Sequence, residues 1–212
     1  MELPNNIQAA KIREALRDEL VRFDAEDFEA LALRVFRYQA VHNPIYARYL
    51  GYLGIPPEQP RTLLEVPFLP ISLFKQHQIS TGKHDYPNTQ VFDSSGTTGV
   101  LPSRHWVPDM DLYRLNSTRI FEAQYGPLDN FHILALLPSY LERNNSSLVY
   151  MVQDFIQKSG SHYANFYLND RQAMARQLRE LATLQDGKKV LLIGVTFALL
   201  DWAESSDDRG FL

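Results

Sequence analysis

The chain has 212 residues, of which 45% are hydrophobic and 22% charged, and its formal net charge is −4. This composition is that of a globular protein and excludes wholesale disorder. A mildly acidic chain without a Lys/Arg tract is a poor nucleic-acid binder, and no apolar run approaches the ~18–20 residues of a membrane span. Cysteine is absent, which excludes disulfides and thiolate chemistry among these residues. We therefore expect a cytoplasmic enzyme or binding domain, with no nucleic-acid partner and no membrane span.

The first part of the chain has the apolar spacing of helices. Apolar side chains recur at close to 3.6 residues over 7–20. Asp24 is the predicted N-cap of a second helix, and Pro44 is the predicted start of a third helix that ends near 51–54. We therefore predict an N-terminal helical segment over residues 1–55.

The next stretch is marked by proline. Five prolines lie between residues 54 and 70, and each one disfavours a helix at its own position and at the residue before it. The pattern predicts an extended segment, and we assign residues 56–89 as a Pro-rich wrapping segment.

From residue 90 onward, short apolar runs alternate with helical patterns, which is typical of an α/β domain with a mostly parallel sheet. We predict an α/β fold with a partly parallel sheet and flanking helices over 90–212, within one domain overall. The last predicted pair is a strand at 190–195 and a helix from Phe197; either that strand is a natural edge or the sheet is incomplete, and we favour the incomplete sheet. The other predicted strands are 90–93, 131–137 and 163–168, with helices after Pro108, near 147–158 and after Asp170.

The run with the most chemical information directly follows the first of these strands. Glycines let successive backbone N–H groups turn toward an anion, and hydroxyl groups add donors that fit phosphate oxygens. The P-loop pattern does not fit, because no lysine follows the last glycine, and the dinucleotide pattern does not fit either. Such a run is also typical of a flexible turn, but the preceding strand favours phosphate binding. The run reads Ser94, Ser95, Gly96, Thr97, Thr98, Gly99.

Together with residues 102–105, this run resembles the phosphate-binding loop of adenylate-forming acyl-activating enzymes, and it is most similar to that of the LuxE-type acyl-protein synthetases. Three further stretches are similar to signatures of that family and occur in the family's order. The fold that the resemblance implies is the incomplete N-terminal domain of an adenylate-forming enzyme. The three stretches are 66–77, 137–149 and 192–200.

The resemblance implies that a fatty or related carboxylic acid attacks the α-phosphorus of ATP, with magnesium, and that the acyl-adenylate then passes its acyl group to a thiol of a protein cysteine or of CoA. It implies two catalytic residues, Thr97 and Thr98, and no resident metal site. The implied nucleotide-binding residues are Ser94, Ser95, Gly96, Thr97, Thr98, Gly99, Ser103 and His105. The implied substrate-binding residues are Tyr140, Glu142, Arg143, Gly194, Thr196 and Phe197.

Alternatives stay open at several of these positions. His105 beside Trp106 also fits a packed structural residue, and Glu142 with Arg143 also fits a solvated pair. Many relatives carry a lysine soon after the glycine loop, where this chain offers only Arg104.

The family's later motifs, including Tyr-Gly-x-Thr-Glu and the domain with a catalytic lysine, do not follow residue 196. We therefore expect an N-terminal fragment that is inactive alone. The alternative functions are a phenylacetate-type CoA ligase and a truncated, non-catalytic nucleotide-binding remnant.

Overall fold

A computed structural model describes residues 6–22, 27–81, 89–94, 102–137, 145–167 and 170–205. The chain divides into two compact units, residues 1–115 and residues 116–212. The boundary falls inside the region predicted from sequence as one α/β region. Each unit is therefore described by itself.

The first unit begins with the three predicted helices, which the structure confirms. The second helix differs from its prediction in one detail: Asp27 occupies the N-cap position, without a side-chain capping bond, whereas the predicted cap, Asp24, lies outside the described residues. The helices are α1 (Asn6–Arg22), α2 (Phe28–His42) and α3 (Pro44–Leu53).

Both ends of α3 follow from its sequence. The Asn43 side chain accepts a hydrogen bond from the Tyr46 N–H at 3.2 Å, and Pro44 occupies the first turn, where its missing N–H costs nothing. Gly54 ends the helix with a φ of 68°, in the left-handed region that glycine adopts without a steric penalty.

The proline-rich stretch lies against α2 and α3. The Tyr46 hydroxyl donates to the Pro67 carbonyl at 2.6 Å, and Val66 and Leu69 pack on the cluster that Tyr46 forms with Phe36. Burial, with the neighbouring Tyr49, raises the pKa of Tyr46 to about 12, so this hydroxyl remains a donor at neutral pH. Within the stretch the structure adds two short elements that the sequence did not predict, a 3-10 helix (Leu63–Glu65) and α4 (Leu73–Gln76).

The unit continues with two short strands. The predicted strand β1 (Gln90–Asp93) is confirmed, but it pairs with β2 (Arg104–Val107), a strand that the sequence analysis missed. The pairing is antiparallel, with Gln90 opposite Val107 and Asp93 opposite Arg104. The expectation that the first strand joins the parallel sheet is therefore wrong: the two strands form a two-stranded sheet of their own.

Helix α5 (Met110–Tyr125) follows β2, where a helix after Pro108 was predicted. The Asp109 carboxylate accepts a hydrogen bond from the Leu112 N–H at 2.9 Å and so caps the start of this helix. Asp109 also pairs with Arg17 of α1. Burial acts to raise the pKa of Asp109, but the Arg17 side chain and the Leu112 N–H outweigh it and hold that pKa below its ordinary value.

The second unit is a small α/β layer structure. Its three strands are all parallel and lie in the order β4-β3-β5. The sequence analysis predicted strands and helices at these places, and the coarse expectation of a mixed α/β fold with a partly parallel sheet and flanking helices is confirmed. In chain order the elements are β3 (Phe131–Leu136), α6 (Ser147–Ser159), β4 (Asn165–Phe166), α7 (Arg171–Thr183), β5 (Lys189–Gly194) and α8 (Thr196–Ser205).

The central strand explains why the sheet forms. All six residues of β3 are buried, which fits a strand that is apolar apart from His132 and is covered on both faces. One face, with Ile133 and Ala135, packs against α6, and the other face, with Leu134 and Leu136, packs against α7 and α8. Successive crossovers therefore place their helices on opposite faces, as expected when β4 and β5 flank β3 from opposite sides. In the parts of the chain that the structure describes, no helix combines the length and apolarity that crossing a membrane requires.

Candidate functional site

The predicted phosphate-binding run lies in the connection between β1 and β2. Hydrogen bonding between the two chain segments continues one residue past the ends of the strands. The Ser94 N–H donates to the Ser103 carbonyl at 2.8 Å, and the Ser103 N–H donates to Ser94 Oγ at 2.9 Å. Two of the predicted nucleotide-binding residues therefore join the two ends of the connection. Ser94 Oγ accepts one bond here, and a hydroxyl that accepts can also donate its own proton, for example to a ligand oxygen. The predicted residues Ser95, Gly96, Thr97, Thr98 and Gly99 lie outside the described residues.

The base of this connection carries opposite charges. Arg104 Nε lies 3.7 Å from Asp93 Oδ1, across the last pair of the ladder. The Arg104 side chain is 62% exposed, so the pair contributes little to stability and the guanidinium keeps access to solvent. Arg104 is therefore a cation near the predicted phosphate-binding run. It is the residue that the sequence analysis named in place of the lysine that many relatives carry after the glycine loop.

His105 has a defined neighbour. Its ring stacks on the Phe74 ring, with centroids 4.7 Å apart and planes inclined by 24°. Phe74 belongs to α4, in the stretch 66–77 that resembles the segment preceding the loop in the acyl-protein synthetases. The structure thus brings two of the resembling stretches together in the first unit. One face of the His105 ring is used for packing, and the residue remains exposed to solvent.

Three of the predicted acid-binding residues, Gly194, Thr196 and Phe197, lie where the parallel strands of the second unit end. Leu136 pairs with Gly194, so β3 and β5 end at the same level, and Thr196 and Phe197 begin α8 directly after β5. Ligands of parallel sheets bind at this carboxyl edge. The other predicted acid-binding residues, Tyr140, Glu142 and Arg143, follow β3 in sequence and lie outside the described residues.

Gly194 has a packing role at this edge. A Cβ atom at Gly194 would lie 2.7 Å from Leu199 Cγ and 3.1 Å from the Leu136 carbonyl oxygen. Cβ atoms are essentially never found 2.7 Å from another carbon, and 3.1 Å from a carbonyl oxygen is a tight contact, so a side chain at Gly194 would force Leu199 to shift. Glycine therefore lets α8 lie this close to β5. Phe197, by contrast, is 53% exposed on α8 and offers an apolar ring to a ligand at the same edge.

The opposite edge of the parallel sheet holds a polar cluster that the sequence analysis missed. His132 of β3 is 3% exposed, with Nδ1 2.6 Å from Ser161 Oγ and Nε2 3.0 Å from Asp186 Oδ2. The Lys188 N–H donates to Asp186 at 3.0 Å and, with the nearby His132 ring, holds the pKa of Asp186 below its ordinary value. Ser161 and Asp186 are 29 and 54 positions from His132 in the sequence, so no local sequence pattern indicates the cluster.

Serine, histidine and aspartate in hydrogen-bond contact are also the components of a nucleophilic triad. Here Ser161 Oγ accepts a bond from the Tyr163 N–H at 3.2 Å, and the Tyr163 ring meets the His132 ring edge-on. Each polar group is thus satisfied by a neighbour in the protein. We interpret the cluster as a structural link between the start of β3 and the connections that lead into β4 and β5.

Comparisons with known proteins add no assignment. No protein-family model, no curated protein and no solved structure matches the chain. The described residues contain no group of three or more His, Asp or Glu side chains placed to hold a metal ion.

Proposed function

We propose that this protein takes part in the ATP-dependent activation of a carboxylic acid, as a member of the LuxE-type acyl-protein synthetases within the adenylate-forming enzymes. The observation that carries the proposal is the closed base of the Ser/Thr/Gly run, where Ser94 and Ser103 exchange two hydrogen bonds. The two bonds fix where the run begins and ends, and glycines within such a run allow successive backbone N–H groups to turn toward an anion, which is what a triphosphate requires.

In the proposed reaction, a carboxylate oxygen of the acid attacks the α-phosphorus of ATP. The bond from that phosphorus to the bridging oxygen breaks, pyrophosphate leaves, and an acyl-adenylate remains. Ser94 to Gly99 would hold the phosphates, with the hydroxyl groups of Thr97 and Thr98 donating to the oxygens whose charge increases in the transition state. Magnesium is expected to arrive bound to ATP, and we assign it no ligand in this chain.

The acid is proposed to lie at the carboxyl edge of the parallel sheet. Phe197, which is exposed on α8, would contact an alkyl or aryl chain. The resemblance assigns Tyr140, Glu142 and Arg143 to acid binding as well. A thiol then attacks the acyl carbonyl and displaces AMP. Because the chain has no cysteine, this thiol belongs to CoA or to a cysteine outside these 212 residues. We propose a fatty acid as the substrate.

The decisive test is ATP–pyrophosphate exchange by the protein expressed from its complete gene. We expect exchange that depends on added fatty acid and that is lost in Gly96→Val, because a branched side chain would occupy the phosphate space. Gly51→Val is the matched control: it adds the same atoms at a helical glycine where an added Cβ would meet nothing within 4 Å beyond its own helix backbone.

Nucleotide binding separates the possible outcomes. Exchange with aryl acids alone would favour the phenylacetate-type CoA ligase. Binding of a fluorescent ATP analogue without exchange would favour the non-catalytic remnant. Equal nucleotide affinity of Gly96→Val and Gly51→Val would show that the run is not the phosphate site.

A further inference from the structure

A groove of about 400 Å³ lies between α1 and α2 in the first unit. Ala9, Ile12 and Leu16 line it from α1, and because they are three and four residues apart they share one face of that helix. Val41 adds apolar surface from α2, where it is 45% exposed. The groove therefore has an apolar floor that is open to solvent.

Among the groove-lining residues that the structure describes, the charged ones are all of one sign. Arg34 and Arg37 line the α2 side, and none of these described residues is a carboxylate. Arg34 is paired with Glu19, whereas Arg37 is exposed and forms no ion pair with any residue that the structure describes. Burial lowers the pKa of His42, which also lines the groove, so the positive charge at neutral pH comes from the arginines.

We propose that the groove binds an amphipathic carboxylate, with the carboxylate on the Arg37 guanidinium and the alkyl chain over Ala9, Ile12, Leu16 and Val41. The planar fork of arginine matches the two oxygens of a carboxylate, and an apolar floor with one polar contact is the usual composition of a small-molecule site. The volume is at the small end of such sites and suits a medium-length chain.

The ligand belongs to the same chemical class as the acid of the proposed function, but its binding requires neither ATP nor the Ser94–Gly99 run. The two proposals therefore stand independently. A protein that lacks ATP–pyrophosphate exchange and still binds the carboxylate would separate them.

The test is calorimetric titration of decanoate into the protein expressed from its complete gene, without ATP and below the micelle concentration. We expect saturable binding of one decanoate, and decanol should bind at least tenfold more weakly because it cannot use a charge-assisted bond. From octanoate to dodecanoate, affinity should rise by up to about fourfold for each methylene that the groove buries, and then level off.

Arg37→Glu should weaken decanoate binding by at least tenfold, since it reverses the charge that the carboxylate needs. Arg48→Glu is the matched control: it makes the same change at an exposed position of α3 outside the groove. Val41→Trp fills the groove at an exposed site and should abolish binding while the charges stay. If Arg37→Glu fails to fold, by circular dichroism, Arg37→Gln replaces it. Equal affinities of the Arg37 and Arg48 variants, or equal binding of decanol and decanoate, would overturn the proposal.

Discussion

The two sheets of this protein differ in how much of each is buried. All six residues of β3 are buried and both faces of the parallel sheet are covered by helices. In the antiparallel pair only Phe92 is buried, and Arg104 and His105 are exposed. The parallel sheet is therefore the core of its unit, whereas the antiparallel pair is a surface ladder. Its hydrogen-bond register, rather than apolar burial, determines where the predicted phosphate-binding run begins and ends.

The largest expected effect comes from truncating the core strand. Leu134 is fully buried, so Leu134→Ala should leave a cavity and cost about 2–5 kcal/mol. Val91, on β1, is half-buried, and Val91→Ala should cost about 1 kcal/mol.

Urea unfolding measures the loss of stability in both variants, and the fluorescence of the two tryptophans assigns each loss to one unit. Trp106 reports on the first unit and Trp202 on the second, so Trp106→Phe and Trp202→Phe backgrounds isolate each signal. Equal destabilisation by Leu134→Ala and Val91→Ala would show that the ladder carries as much stabilisation as the core.

A second prediction concerns the tight contact between β5 and α8. Gly194→Ala should destabilise the second unit by about 1–3 kcal/mol, because the added methyl group overlaps Leu199 and presses on the Leu136 carbonyl oxygen. Gly51→Ala is the control, since it adds a methyl group to a helix in open space and should stabilise by about 0.5–1 kcal/mol. Thermal unfolding measures both changes. A neutral Gly194→Ala would mean that α8 lies less closely on β5 than described.

The smallest expected effects are in acid. Among the residues that the structure describes, Asp109 of the first unit and Asp186 of the second have a lowered carboxyl pKa. A lowered pKa in the folded state means that the unfolded chain binds the proton more readily. The stabilisation is therefore present above the ordinary carboxyl pKa and is lost as the pH falls through the folded-state value.

Asp109→Asn and Asp186→Asn should each reduce stability at pH 7 and flatten its decline in acid. Urea midpoints at pH 7 and at pH 3.5, followed through Trp106 and Trp202, test this. An acid-induced decline as steep in both variants as in the original protein would contradict the roles assigned to Arg17 and to Lys188 with His132.

Most elements could be predicted from sequence because their signals are local. Pro44 predicted the start of α3, whose end was expected near residues 51–54 and lies at Leu53, and a short, mostly apolar run predicted β3. Strand β2 was missed because four residues that begin with exposed Arg104 and His105 show neither apolar alternation nor length. The pairing partner of β1 could not be predicted either, since nothing near β1 in the sequence specifies an antiparallel neighbour.

The candidate site was less predictable from sequence than the helices and strands. Ser94 and Ser103 were singled out from composition and resemblance, but the two bonds that join them depend on the register of β1 and β2. The His132 cluster depends on three chain segments that meet only in the folded sheet. Sequence reasoning therefore identifies site residues that are neighbours in the sequence, and it misses residues that become neighbours only in the folded protein.

The central position of β3 has a consequence for how the protein is made. Leu134 pairs with Asn165, which lies 31 positions later in the sequence, and Phe131 pairs with Lys189, which lies 58 positions later. As the chain leaves the ribosome, this apolar segment therefore emerges well before either neighbour exists. Long-range parallel pairing forms slowly, and unpaired apolar strands invite aggregation in the meantime. We expect refolding yields to depend strongly on protein concentration and to improve when a chaperone covers the nascent strand.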